Sequence, residues 1–176
     1  MKMRRWLIGI FFLMGVVHPS AEAKIPEGFS RAEVYQEVTG YPYNLSTGWC
    51  FKEEATGYHL VNPADENFYA AMGPVAGIDS KIAEPRGIAE AVLKNRKELS
   101  EEGRRQIVFV PGETFGEYRI EGFWIHKLGS TKGPYVVLLF FVYREKPHFF
   151  FAVSRESEEA LERKGKGLLK ALLTGE

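Results

Sequence analysis

The chain predicts an α+β domain behind an export leader, and three observations carry that reading. Two near-continuous apolar runs, Val136–Val142 and Phe149–Val153, are short and separated by turn residues. A strand loses its polar alternation when both of its faces are covered, so these two read as central strands. Two other stretches, Pro85–Leu99 and the C-terminal segment from Ser157, carry apolar residues at helical period. The rest of the mature sequence is a succession of short β-like pieces broken by Gly and Pro.

The leader comes first in the chain. Met1–Arg5 is basic, Trp6–Val17 is apolar, and Ala21-Glu22-Ala23 is a small-x-small cleavage site, together the layout of a secretory signal peptide at 1–23. The apolar run holds twelve residues, against about 20 for a spanning helix. Lys24, where a lipoprotein has Cys, argues against a lipid anchor. Tyr135–Tyr143 is strongly apolar but only nine residues long, a buried strand and not a span. The leader predicts a periplasmic or secreted protein with no stable membrane span after cleavage.

Cleavage after Ala23 leaves 24–176 as a single α+β domain of 153 residues, long enough for a hydrophobic core. Without Lys2, Arg4, Arg5 and Glu22 the chain keeps 20 basic and 22 acidic residues. That balance lacks the basic surface that phosphate binding requires, so nucleic acid is not expected as a partner. Cys50 is the sole cysteine, which excludes an internal disulfide. It reads as a small buried apolar residue beside Trp49, with a disulfide-linked dimer or a reactive thiol as alternatives.

The elements follow in order. Ser30 precedes one or two helical turns, with Glu33 placed for a capping box and Gly40 as the stop. Tyr41, Tyr43 and Leu45 alternate with Pro42 and Asn44 as on a half-buried strand. Trp49–Ala55 and Tyr58–Val61 flank the turn Thr56-Gly57, and Asn67–Met72 is a further apolar piece. Pro85 suits a first helical turn, Ile88, Val92 and Leu99 share one face, and Gly103 ends the element. Ile107–Val110 stops at Pro111-Gly112, and Glu117–Leu128 is long, with Gly122 as a candidate bulge. Gly129–Gly133 reads as a hairpin loop, and Glu145-Lys146-Pro147 as a tight turn between Pro134–Arg144 and His148–Ser154. Ser157 caps the last helix, Glu158 and Glu159 fill its first turn, and Leu161, Leu168 and Leu172 line one face. Gly165 and Gly167 weaken that helix and allow close packing on the sheet.

Motifs for chemistry are missing. Gly129-Ser-Thr-Lys-Gly133 lacks the spacing of a phosphate loop, and no Gly-x-Ser-x-Gly elbow occurs. His59, His126 and His148 lack a metal-ligand spacing, so neither metal nor cofactor is expected. Cys50 and His59 flank one hairpin and could form a thiolate–imidazole pair, without an identifiable third group. Glu113, Glu117 and Glu121 have spacing four and would share one face of a strand, as solubilising residues or as paired acids for glycoside chemistry. Among the many aromatics, Phe115, Tyr118 and Trp124 lie near loops and are the candidate rim of a pocket or apolar patch. No catalytic residue is assigned.

The element order, with Leu45-Ser-Thr-Gly-Trp49 ahead of Phe51 and a hairpin, resembles the PsbP-like fold. That family includes the Ran-binding Mog proteins and DcrB-type bacterial envelope proteins, and it often carries Leu-Pro-x-Gly-Trp at this place, where Ser46 departs from the Pro. The resemblance covers roughly Tyr41 to Leu173. It implies an antiparallel sheet of about six strands sandwiched between helices (α/β/α), and a binding or assembly protein without a common active site. Three functions follow as expectations. The first is an exported, non-enzymatic binding or assembly module of the cell envelope, whose partner is a protein or envelope component. The second is a protein that binds small apolar ligands, and the third an unrecognised hydrolase.

Overall fold

The computed structural model describes residues 24–79, 81, 82, 84–96, 105–127 and 134–176. The expected signal peptide, the Gly129–Gly133 loop and the Leu99–Gly103 end of the first long helix lie outside the described residues.

Eight strands, not six, form one antiparallel sheet among the described residues. They are β1 (Ser30–Arg31), β2 (Cys50–Glu54), β3 (Gly57–Val61), β4 (Phe68–Pro74), β5 (Arg105–Phe115), β6 (Tyr118–Lys127), β7 (Tyr135–Tyr143) and β8 (Lys146–Ser154). Their order is β1-β2-β3-β4-β8-β7-β6-β5. Each half of the chain is a meander of consecutive antiparallel neighbours, and β4 against β8 is the seam between the halves. β1 has two residues and therefore no period to read, whereas β5 continues through the Pro111-Gly112 stop by means of a register shift between Val110 and Glu113. The bulge thus sits on β5, and not at Gly122 of β6. Gly122 serves a close approach instead, because a Cβ there would lie 2.7 Å from the Leu139 Cα on β7.

Three α-helices accompany the sheet among the described residues: α1 (Tyr35–Thr39), α2 (Pro85–Asn95) and α3 (Glu158–Thr174). Ser30 does not cap α1. It pairs with Phe51 in β1, and a 3-10 turn, Ala32–Val34, leads into the helix. The expected strand Tyr41–Leu45 is a loop, since Pro42 has no amide to give a ladder. Gln36 holds this loop: its amide N–H donates to Asn44 Oδ1 (2.8 Å) and its side chain to the Pro42 carbonyl (2.8 Å). Tyr41 and Leu45 are buried all the same. α2 starts with Pro85 at its first turn, and α3 starts at Ser157, whose Oγ accepts from the Ala160 N–H at 3.0 Å.

The apolar runs behave as covered strands. Val137, Leu139 and Phe141 of β7 join the α3 residues Leu161, Leu168, Leu169, Leu172 and Leu173 in one buried cluster. Phe140, one pleat away, joins Phe123 and the α2 residues Ile88, Ala89 and Val92 in a second. Helices therefore lie on opposite faces at β7. α2 packs on β6 and β7, while α3 packs on β8, β7, β4 and β5, so three layers span only part of the sheet. Val61, Tyr69 and Phe151, on the α2 face of β3, β4 and β8, are half-buried and belong to neither cluster.

Candidate functional site

Three turns, β2–β3, β5–β6 and β7–β8, lie at one end of the sheet, as the pairing registers require. Tyrosines stand beside each of them: Tyr58 is the second residue of β3, Tyr118 opens β6 and Tyr143 closes β7. The strand period puts all three on the α3 face, together with Phe51, Phe141 and His148. Over them lie α1 and the 40–45 loop, which supply Tyr35 and Tyr41.

The rings form a connected cluster. Tyr41 is the hub, with ring centroids 6.0 Å from Tyr35, 6.4 Å from Tyr58, 5.3 Å from Tyr143 and 5.8 Å from His148. Tyr118 extends the row, 6.1 Å from Tyr143. The Tyr143 hydroxyl donates to the Gly40 carbonyl at 2.8 Å, and this ties the N-terminal loop to the β7–β8 hairpin across 103 residues. Tyr35, Tyr41 and His148 are buried, whereas Tyr58, Tyr118 and Tyr143 are half-buried and form the outer rim. Among the described residues the enclosed Tyr35 hydroxyl has no partner at good hydrogen-bond geometry, and only a weak interaction with the Thr39 side chain opposes the rise of its pKa.

Among the described residues, charges stand only around the cluster, with the Arg144 guanidinium 5.1 Å over the Tyr143 ring. Burial pushes the Tyr35 and Tyr41 phenols far above their ordinary range, and the neighbouring phenols add to that. Tyr58 and Tyr118 are raised as well, by burial first and then by Glu53 and Glu117 respectively. Burial holds the His148 imidazole below its ordinary value. Its Nδ1 lies 2.9 Å from the Lys146 carbonyl, which only accepts, so Nδ1 carries the proton and Nε2 is the acceptor of the neutral ring. At neutral pH the site offers aromatic faces, hydroxyls and one neutral imidazole, with the Arg144 guanidinium at its rim.

Of the residues expected from sequence, Phe115 and Tyr118 come together as a cross-strand pair at the β5–β6 turn. Phe115 is buried in the core, and Tyr118 belongs to the tyrosine row. Trp124 is buried six residues along β6 from Tyr118, about 20 Å away. The structure thus joins two of the three and sets the third apart.

The other candidates separate. Cys50 faces Val61 and His59 faces Lys52, so thiol and imidazole stand on a diagonal and not in register. The His59 Nε2 lies 3.7 Å from Glu54. Burial, then Glu33, pushes the Cys50 thiol up, the wrong direction for a nucleophile. Glu113, Glu117 and Glu121 do not share a face, because a hairpin turn falls among them. Glu113 pairs with Lys166 of α3, Glu117 stands in the turn, and Glu121 lies on the α2 face. There the Glu121 carboxylate accepts from Arg119 at 2.9 and 2.6 Å. Gly112 makes room for it, since a Cβ would meet Oε1 at 2.8 Å. His126 is half-buried on β6 opposite Gln106. Among the described residues no group of three His, Cys, Asp or Glu is placed to hold a metal ion.

The tyrosine cluster escapes sequence reasoning because its members come from five separated segments. One readable sign exists: Tyr41 follows Gly40, Tyr58 follows Gly57, and Tyr118 and Tyr143 border turns, so each sits at a chain reversal. No protein-family model matches the chain, and no curated protein matches it either.

Proposed function

We propose that the chain is an exported, non-enzymatic binding module of the cell envelope, with a three-layer α/β/α sandwich of the PsbP-like kind. Its site is the half-exposed row Tyr58–Tyr143–Tyr118 on its buried base of Tyr41, Tyr35 and His148. The observation that carries this reading is the connected cluster itself: six rings stand together, and burial holds the Tyr35, Tyr41, Tyr58 and Tyr118 phenols and the His148 imidazole toward their uncharged forms. Such a surface recognises by area and hydrogen bonding, the way tyrosine-rich protein contacts do. Groups that chemistry would need are tied up elsewhere: the Cys50 thiol is kept protonated and the Glu121 carboxylate is paired. Export rests on the basic, apolar and small-x-small layout of residues 1–23, and it places the partner, a protein or envelope component, in the periplasm or outside the cell.

Capture from a native envelope fraction tests the reading. The wild-type chain is expected to recover a discrete partner, and Tyr58→Ser with Tyr118→Ser to reduce its yield at least about tenfold, as loss of two aromatic contacts should. Recovery of nothing at any salt, or equal recovery by a double variant of native melting behaviour, would overturn it.

A further inference from the structure

The eight-stranded sheet is open, and its two edges differ. One is β1, two residues long; the other is β5, with eleven, paired among the described residues to β6 alone. An edge strand presents a row of unpaired N–H and C=O groups, and proteins blunt such rows with charges, prolines and bulges. On β5 the proline and the bulge fall in the second half, at Pro111 and at the register shift between Val110 and Glu113, and a charged residue, Arg105, opens the strand. Gln106–Val110 has no charge, no proline and an unbroken register against β6. Val108 is 39% exposed on this stretch. Among the described residues, the backbone hydrogen bonds made outside helices and strands involve no β5 group.

We infer that the Gln106–Val110 edge is a self-association site, where β5 pairs antiparallel with β5 of a second copy of this chain about a two-fold axis at Val108. The sequence of the edge is self-complementary in that register. Val108 meets Val108 of the copy, Ile107 meets Phe109, and Gln106 meets Val110. On one face the exposed valines cover each other. On the other, β-branched and aromatic side chains pair across the junction, a favoured combination. Within Gln106–Val110 no like charges come together, and in each copy the Arg86 guanidinium lies 3.4 Å over the Phe109 ring. A two-fold contact of this kind closes on itself, so it ends the ladder and does not propagate a fibre. Pro111, without an N–H, bounds the shared ladder, and a junction this short makes a weak, concentration-dependent dimer. The inference uses no residue of the tyrosine row.

Sedimentation of the purified chain from about 1 µM to about 500 µM tests it, with a dissociation constant expected in the micromolar range. Val108→Lys sets two ammonium groups opposite each other and should raise that constant at least about tenfold. Val108→Thr keeps the branch without charge and should retain the dimer. Amide exchange at 106–110 should slow with concentration in the wild type, while thermal melting shows both variants folded. A wild type that stays monomeric throughout overturns the inference. So does a Val108→Lys chain that dimerises like wild type, a Val108→Thr chain that does not dimerise, or exchange at 106–110 that ignores concentration.

Discussion

Tyr35 brings its hydroxyl into the core with no partner at good hydrogen-bond geometry among the described residues, although the ring itself packs on Tyr41 and Phe51. An enclosed hydroxyl left unpaired loses its hydration for nothing, and Tyr35→Phe keeps every ring contact. We expect the variant to gain about 1 kcal/mol in urea unfolding, and a loss would show that the hydroxyl is bonded. His148 makes the opposite case, a polar ring whose burial has a pH signature. An unfolded histidine takes up its proton near pH 6.5. Burial among Tyr41, Phe141 and Tyr143 holds the folded ring lower, and the hydrogen bond to the Lys146 carbonyl only partly offsets that. As pH falls below about 6.5 the unfolded chain therefore binds more protons than the folded one, and stability drops. That stability is fully present above the unfolded value and is lost as pH falls through the folded one. His148→Phe, which suits the aromatic surroundings, should flatten the decline of the urea midpoint between about pH 7.5 and 5.5. Equal slopes in the two proteins would assign the titration to another group.

At the scale of elements, the β7–β8 hairpin turns through Arg144 and Glu145 with φ of +48° and +61°. Two positive values in a two-residue loop mark the mirror-image turn that suits the twist of paired strands, a turn that favours glycine at its second position. Arg144 also lays its guanidinium over Tyr143 at 5.1 Å, so it has a reason to stay. Glu145→Gly should thus stabilise by about 1 kcal/mol, read as a higher melting temperature; an unchanged or lower one would place compensating contacts at Glu145. In α3, Gly167 is exposed and a Cβ there meets nothing within 4 Å. Gly167→Ala should add about 1 kcal/mol by propensity alone. Gly165 differs, because its Cβ would stand 3.5 Å from that of Ala152, which fits the close packing its sequence position suggests. Elements with strong local chemistry were the legible ones: Ser157 caps α3, Pro85 opens α2, and the apolar runs became β7 and β8. Tyr41–Leu45 misleads because its two ends are buried as on a half-buried strand, yet Tyr43 between them is exposed and side-chain bonds from Gln36 hold the segment as a loop. Glu113, Glu117 and Glu121 mislead through even spacing, which holds only along one unbroken strand.

For the whole molecule, the α+β class could be read from period and punctuation, but the pairing of β4 with β8 could not. Nothing in Phe68–Pro74 or Lys146–Ser154 marks them as neighbours, since their alignment depends on which faces the helices cover. For the same reason the tyrosine row stayed hidden: it exists only once both meanders are joined. The seam puts Met72 opposite Phe150 and Ala70 opposite Ala152, on the face where α3 packs. That buried cluster draws on Leu60 and Phe51 from the first meander and on Leu139 and Phe141 from the second, so the larger core belongs to neither half alone, while α2 closes the smaller one on the second meander. The two halves should then unfold as one unit, and the chain offers a probe in each. Trp49 stands in the first meander against Phe68, and Trp124 in the second on β6. Trp49→Phe and Trp124→Phe chains, followed by the fluorescence of the tryptophan that remains in the domain, should give coincident urea transitions. Met72→Ala should lower both midpoints together, at a cost of about 2–5 kcal/mol for a buried methionine. Separate transitions, or a Met72→Ala loss seen by Trp49 alone, would mean that the seam joins two independently stable sheets.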